Sequence, residues 1–335
     1  MKKIRIAQIG TSVYSHGANV IESLRKQNDI FEVVGYALPE NEREKFPERM
    51  DSLEGLREMT VEEILTDETI DAVAIETEEI YLPKYAIMAA EHKKHLHIEK
   101  PGGIDLPDFE KLVSIVKENN LVMHLGYMYR YNPVILDLLK QVKAGDLGVI
   151  TSVEAQMNCR HPAPMREWLK NLKGGMMYFL GCHLIDLILQ IQGTPENIIP
   201  LNKYSSKEEE GIVFGMAVFE YKNGVSFAKT TATEKGGFAR RQLVVTGSKK
   251  TVEIKPLEMW ARPEGGSELY TDVTEYKEYE WRDTGITKRS EVFDRYDGMM
   301  EAFAKMVRGE MQNPNSPDYE LELYKTVLKC CGITE

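Results

Sequence analysis

The sequence has no apolar run long enough to span a bilayer. Its most hydrophobic stretch, Met176 to Ile191, is interrupted by His183 and Asp186 and falls short of the ~20 residues a spanning helix needs, so no membrane partner is expected. Residues Met1 to Gly10 lack the apolar segment of a secretory signal, because Arg5 and Gln8 break it. Basic residues are in deficit, 42 Lys and Arg against 53 Asp and Glu, and a net charge of −11 repels nucleic-acid phosphates. Lys93-Lys94 and Lys249-Lys250 are too short to reverse this and read as solvated surface or turns. The four cysteines, Cys159, Cys182, Cys330 and Cys331, show no CxxC spacing, and an adjacent pair is poorly placed to bridge itself; a reducing cytoplasm fits. Cys182 reads as a small buried hydrophobe rather than a nucleophile. No metal site is expected, since of His92, His95 and His97 only the last two share a strand face, and two ligands are insufficient. Internal repeats and low-complexity segments are also missing.

What is present is an ordinary globular composition, 42% hydrophobic and 28% charged over 335 residues, which favours two domains. Residues 3–9 read as a strand ending at Gly10, 18–26 as a helix with a basic end, and 31–38 as a second strand stopped by Pro39. A short helix from Val61 precedes a third strand over 72–76. Then follow a helix over 82–92, a strand over 95–99, a helix over 106–118 and a strand over 121–126. This alternation predicts a parallel α/β sheet. Beyond Asn132-Pro133 the pattern changes: one helix, a strand over 149–157, a long apolar helix over 176–191, and β-type runs over 213–221, 225–233 and 242–246. Lys222-Asn223-Gly224 is a hairpin signal, so a mostly antiparallel sheet is expected, with two closing helices over 294–308 and 319–331.

The first strand-to-helix turn, Gly10-Thr11-Ser12-Val13-Tyr14-Ser15-His16-Gly17, departs from G-x-G-x-x-G by serines at the second and third glycine positions. Ser12 narrows the approach to a pyrophosphate, although its hydroxyl can donate to a phosphate at the helix N-terminus; Ser15 is small enough to keep helix and strand close. Where a ribose-binding carboxylate belongs, at the end of the second strand, stands Leu38, with Glu40 two residues on. Glu40 suits the 2′-hydroxyl of NAD and Arg43 a 2′-phosphate; an exposed charged turn is the competing reading of each. His97-Ile98-Glu99-Lys100-Pro101-Gly102-Gly103 places an acid and a lysine at the C-terminal end of a parallel strand, where open α/β sheets bind ligands. There a lysine polarises a substrate oxygen; a surface Glu-Lys pair is the alternative.

Glu99-Lys100-Pro101 resembles the hallmark tripeptide of the Gfo/Idh/MocA oxidoreductases. The likeness extends through Asp71-Ala72-Val73 leading to Thr77, Gly126-Tyr127 with Arg130-Tyr131-Asn132-Pro133, and Gly145 to Ile150. It continues with Gly174-Gly175, Gly181 to Asp186, Asn223-Gly224 and Gly247. The resemblance implies an α/β Rossmann dinucleotide-binding domain over 1–125 and an α+β domain with a mostly antiparallel sheet over 126–335, which binds substrate and makes a homo-oligomer, dimer or tetramer. It implies NAD or NADP as cofactor, NAD being preferred, held by Gly10, Thr11, Ser12, Val13, Ser15, Leu38, Glu40, Thr77, Glu99 and Lys100. It implies a small-molecule substrate, a sugar, cyclitol or related hydroxy compound. Lys100 and His183 are then catalytic, His183 taking the proton of a substrate hydroxyl while Lys100 stabilises the oxygen. Asp186 orients His183 or caps local structure, and Tyr127, Arg130, Trp168 and Lys170 lie where such proteins contact substrate.

Departures are also legible. Phe179 stands where many such dehydrogenases carry an aspartate four residues before the histidine, Glu78-Glu79 replaces a Pro-Asn pair, and Leu82 a histidine. A non-catalytic dinucleotide- or sugar-binding sensor therefore stays open beside the enzyme, as does a hydrolase or lyase using NAD transiently.

Overall fold

The computed structural model describes residues 2–205, 211–278 and 281–333. They form two compact units. One contains the residues up to Met128 together with Tyr296–Glu322, the other Tyr129–Arg295 with the residues from Leu323 onward.

In the first unit, strands β1 (Ile4–Ile9), β2 (Phe31–Ala37), β3 (Ala72–Ile75), β4 (His95–Ile98) and β5 (Met123–Leu125) form a parallel sheet in the order β2-β1-β3-β4-β5. Their residues are almost all buried, as in a sheet covered on both faces. Beside β2, the Tyr36 N–H donates to the Arg57 carbonyl and the Met59 N–H to that of Tyr36, a parallel bridge one residue long. Counted as a strand, it turns the order into the 3-2-1-4-5-6 of a dinucleotide-binding fold, with the crevice at the C-terminal ends of β1 and β3. The first helix, Gly17–Lys26, buries Val20, Ile21 and Leu24 and ends on Arg25 and Lys26, which suit the negative end of its dipole.

The expectation of one continuous second domain from residue 126 needs correcting. Residues 296–322 pack with the first unit: the helix Asp297–Val307 lays Phe303 on the His124 ring at 5.3 Å, and Asp297 accepts from the Ser23 hydroxyl at 2.8 Å. An apolar helix face shows that something must cover it, not which sheet does so.

In the second unit the strands are β6 (Ile150–Asn158), β7 (Asn197–Pro200), β8 (Lys203–Tyr204), β9 (Ile212–Tyr221), β10 (Gly224–Thr231), β11 (Gln242–Gly247), β12 (Thr251–Ile254), β13 (Met259–Trp260), β14 (Glu268–Tyr270), β15 (Asp272–Tyr276), β16 (Ile286–Arg289) and β17 (Phe293–Asp294). The main sheet runs β16-β15-β12-β11-β6-β10-β9-β7, with β8 on β9, and all its pairs are antiparallel except β6 with β10; β13, β14 and β17 form a small sheet of their own. Val213, Ala217 and Phe219 of β9 and Val153, Ala155 and Met157 of β6 point inward in strict alternation. The helix Cys182–Gln192, which carries His183, packs on β6 and β10. The predicted uniform helix over 176–191 is not found. Residues Met177–Gly181 form a π turn ahead of the α-helix, a feature that apolar periodicity does not reveal and that often marks functional sites. Among the described residues no helix is long and apolar enough to cross a membrane.

Candidate functional site

Gly10 ends β1 with φ +87°, and a Cβ there would lie 2.6 Å from the Thr77 amide nitrogen. Only glycine allows this approach, which brings the predicted Gly10 and Thr77 together. The Ser12 N–H donates to the Glu76 carbonyl at 3.0 Å, and its hydroxyl accepts from Tyr14 at 3.1 Å, keeping its own proton for an outside acceptor. Ser15 is spent locally: its hydroxyl reaches the Ser12 and Glu76 carbonyls at 3.1 and 2.9 Å. A Cβ on Gly17 would meet Glu76 Cβ at 2.8 Å, so helix and strand are indeed close. The Val13 carbonyl accepts from Arg49 at 3.0 Å.

Of the charged residues that follow the second strand, Glu40 is already engaged. Glu40 Oε1 takes the Lys84 ammonium and the Tyr85 hydroxyl at 2.6 Å each, and the Lys84 hydrogen bond, aided by that of Tyr85, lowers its pKa. Arg43 pairs with Glu58, and Leu38 is half-buried. Glu42, which spacing did not single out, turns inward instead. It is fully buried and accepts the Thr11 N–H on Oε2 at 2.6 Å, while Oε1 has no partner. Burial pushes its pKa up to about 8 despite the Thr11 bond.

Lys100 is fully buried at the end of β4. Glu99 Oε1 lies 3.7 Å from its Nζ and accepts its backbone N–H at 3.0 Å; Glu99 Oε2 accepts the His16 N–H at 3.0 Å and meets His16 Nδ1 at 2.8 Å. Burial alone would raise the Glu99 pKa, but His16 and Lys100 outweigh it and hold the carboxylate well below its usual range. Behind it, His97 Nε2 stands 3.4 Å from Glu76 and His97 Nδ1 2.8 Å from His124 Nδ1. Burial drives His97 down to about 4 and, helped by Glu99, drives Glu76 upward, so the charged form of each is disfavoured here.

In the second unit, His183 is buried with its ring edge-on to Tyr129 at 5.2 Å. Tyr129 donates to Glu258 at 2.6 Å, and Glu258 also receives Arg241 at 2.9 Å and Arg295 at 2.8 Å. Tyr129, Arg241, Glu258 and Arg295 lie too far apart in sequence for any spacing to have grouped them. Arg130, expected to contact substrate, and Asp186, expected to orient His183 or cap local structure, find each other: both are buried, with Nε–Oδ2 and NH2–Oδ1 at 2.9 Å. Arg130→Met should therefore cost about 3–5 kcal/mol in chemical denaturation, because Asp186 stays buried without its cation. A loss below about 1 kcal/mol would show that the pair is not structural. Trp168 meets Phe179 edge-on at 5.4 Å, with His161 at 6.1 Å from Phe179, an aromatic wall where a carboxylate was absent. Lys170 is exposed, and Tyr127, at the end of the first unit's β5, is buried.

The model of the oxidoreductase family with NAD-binding Rossmann fold matches residues 4–127, and that of the GFO/IDH/MocA C-terminal domain matches 135–253. The chain belongs to the Gfo/Idh/MocA family. Among Gfo/Idh/MocA relatives, scyllo-inositol 2-dehydrogenase (NAD(+)) of Bacillus subtilis is 31% identical over 124 residues, 37% of this chain and 35% of that enzyme. Myo-inositol 2-dehydrogenase of Thermotoga maritima is 24% identical over 131 residues, 39% of each chain. These matches span well under half of either relative's length. The fold is shared almost end to end with an oxidoreductase from Thermotoga maritima (TM-score 0.76, 18% identity, 98% of this chain and 96% of that one). It is shared equally with UDP-N-acetylglucosamine 3-dehydrogenase GnnA of Acidithiobacillus ferrooxidans (TM-score 0.77, 17% identity, 99% and 98%).

Proposed function

We propose that the protein is an NAD-dependent dehydrogenase or reductase acting on a sugar, cyclitol or related hydroxy compound. The observation that carries this reading is the buried Lys100, held by Glu99 at the mouth of a parallel strand in a dinucleotide-binding crevice. The crevice residues suit the cofactor: the Gly10 turn leaves no side chain in the way, Ser12 keeps a proton for a phosphate oxygen, and Glu42 Oε1 is a buried acceptor without a donor. Gly10, Thr11, Ser12, Val13, Thr77 and Glu99 would hold the dinucleotide, with Glu42 rather than Glu40 or Leu38 receiving the adenosine ribose hydroxyls. A bound nicotinamide supplies a hydride acceptor or donor. In the roles carried over from the family, Lys100 stabilises the oxygen of the reacting hydroxyl and His183 exchanges a proton with it. The half-exposed face of the second sheet, with Phe214, Met216, Val218 and Phe227, supports a homo-oligomer, and we place the protein in the cytoplasm.

Calorimetric titration with NAD, NADH, NADP and NADPH tests this. NAD should bind more tightly than NADP, because a carboxylate at Glu42 repels a 2′-phosphate, and binding near pH 7 should release a proton as ribose hydroxyls favour the charged form of Glu42. Glu42→Ala should weaken NAD roughly 10–100-fold, the worth of a charge-assisted hydrogen bond. Binding of none of the four would end the proposal. Phe179 and its aromatic wall favour a second reading, a non-catalytic sensor, which NAD binding without turnover of any inositol or sugar would support.

A further inference from the structure

Lys93-Lys94, which spacing offers only as a solvated turn, ends the helix Leu82–Glu91 in a way that a plain turn does not call for. The Lys93 N–H donates to the Ala90 carbonyl and the Lys94 N–H to that of Ala89, both at 3.0 Å, and Lys93 takes φ +59°, the left-handed conformation for which helix ends favour glycine. A long cationic side chain is thus kept where the backbone would be relaxed without one. Lys94 turns inward and is 5% exposed. Its ammonium donates to the Asp67 and Ile70 carbonyls at 2.6 and 2.9 Å, so a full charge is buried on neutral acceptors.

Both lysines line a depression of about 730 Å³ at the end of the parallel sheet opposite the crevice, where β1 begins at Ile4 and β4 at His95. That volume is in the range of small-ligand sites. Lys3, His95 and Arg308 share its wall. Arg308 spends only Nη2, on the Lys2 and Ile30 carbonyls at 3.2 Å each, and the Val122 N–H donates to His95 Nδ1 at 3.0 Å, which leaves Nε2 of the neutral ring as a donor. Among the described residues Lys3, Lys93, Lys94 and Arg308 form no ion pair with a carboxylate. Of the acids on the wall, Asp71 already takes the Lys2 ammonium at 3.3 Å and the Arg5 N–H at 2.9 Å, and Glu68 is exposed. In a chain of net charge −11 this is a local excess of cations with donors to spare.

We propose that the depression binds a small phosphate-bearing polyanion of the kind of inorganic pyrophosphate, held by Lys3, Lys93 and Arg308 with His95 as a further donor. A chloride or a single carboxylate would leave most of these cations unmatched. Two linked phosphoryl groups carry more than one charge each and direct oxygens to several sides, which suits the Arg308 fork and the lysine ammoniums. The ligand would join the start of β1, the turn after the helix Leu82–Glu91 and the end of the helix Asp297–Val307, segments far apart in the chain, so its binding strengthens the first unit. The site is separate from the dinucleotide crevice and does not depend on the dehydrogenase reading.

Calorimetric titration of the full chain with inorganic pyrophosphate at low ionic strength tests it. Saturable binding is expected, with a higher melting temperature, and inorganic phosphate should bind about tenfold more weakly because it reaches fewer of the cations. Lys93→Gly gives opposed readouts: the melting temperature of the unliganded protein should rise, since glycine relaxes φ +59°, while pyrophosphate affinity falls about tenfold. Lys3→Glu, at an exposed side chain, should weaken pyrophosphate at least as much, and both variants should treat NAD as the wild type does. In proton NMR, pyrophosphate should shift the His92 and His95 ring signals and leave that of His16, in the first turn, in place. Absence of saturable binding, unchanged affinity in either variant, or displacement of pyrophosphate by NAD with a shift at His16 overturns the site. Phosphate binding as tight as that of pyrophosphate overturns the two-phosphoryl ligand.

Discussion

Lys100→Met is expected to lower kcat by about 10³-fold, the range set by losing a positioned proton-handling group. The side chain is fully buried, so the change is not one of surface charge, and methionine fills a similar volume without an ammonium. Two carboxylates, Glu99 at 3.7 Å and Glu79 through its field, lose their shared cation, and substrate oxygen loses the group that would carry its developing charge. NAD affinity, read by calorimetry, should change far less than kcat, because the Gly10 turn and Glu42 remain. Near-normal turnover in Lys100→Met would remove Lys100 from the reaction and with it the assignment of chemistry to this strand end.

The second large effect concerns stability and pH. Glu42 and Glu79 have folded-state pKa values raised to about 8, so each holds a proton when folded that it releases when unfolded above about pH 4.5. Their contribution is complete below the unfolded pKa and is lost as pH climbs through the folded one, roughly 1.4 kcal/mol per pH unit for each group. His97 and His161 run the other way. Both are pushed down to about 4, chiefly by burial, and stay neutral when folded, so below about pH 6.5 they weaken the fold as the pH drops. The two trends offset each other in mild acid. Thermal melting of the unliganded protein should thus vary little from pH 5 to 6.5 and fall steeply from 6.5 to 8, by about 2 kcal/mol for each raised carboxyl. Glu42→Gln and Glu79→Gln should each flatten that descent. A melting temperature that rises between pH 6.5 and 8 would contradict the buried, protonated state of these groups.

The parallel half of the fold was legible because its signals are local: apolar strands at regular intervals, Gly10 at a turn only glycine permits, and Lys100 at a strand end. The antiparallel sheet was visible in alternation and in Asn223-Gly224. What could not be read depended on partners distant in sequence. Glu40 and Glu42 look alike in the chain, and only Lys84 and Tyr85 on one side and Thr11 on the other decide which faces out and which in. Nothing in the spacing of Arg130 and Asp186 shows that they neutralise one another. Glu79 registered only as a departure from the family, and its burial could not be read from spacing.

The return of residues 296–322 to the first unit bears on how the molecule is made. The ribosome completes β1 to β5 before it begins β6, yet the helix that places Phe303 on His124 emerges only after β17. The nascent dinucleotide-binding sheet must therefore wait, with an uncovered apolar flank, through the synthesis of everything between. A gene fragment cut at the first boundary would leave that flank bare for good.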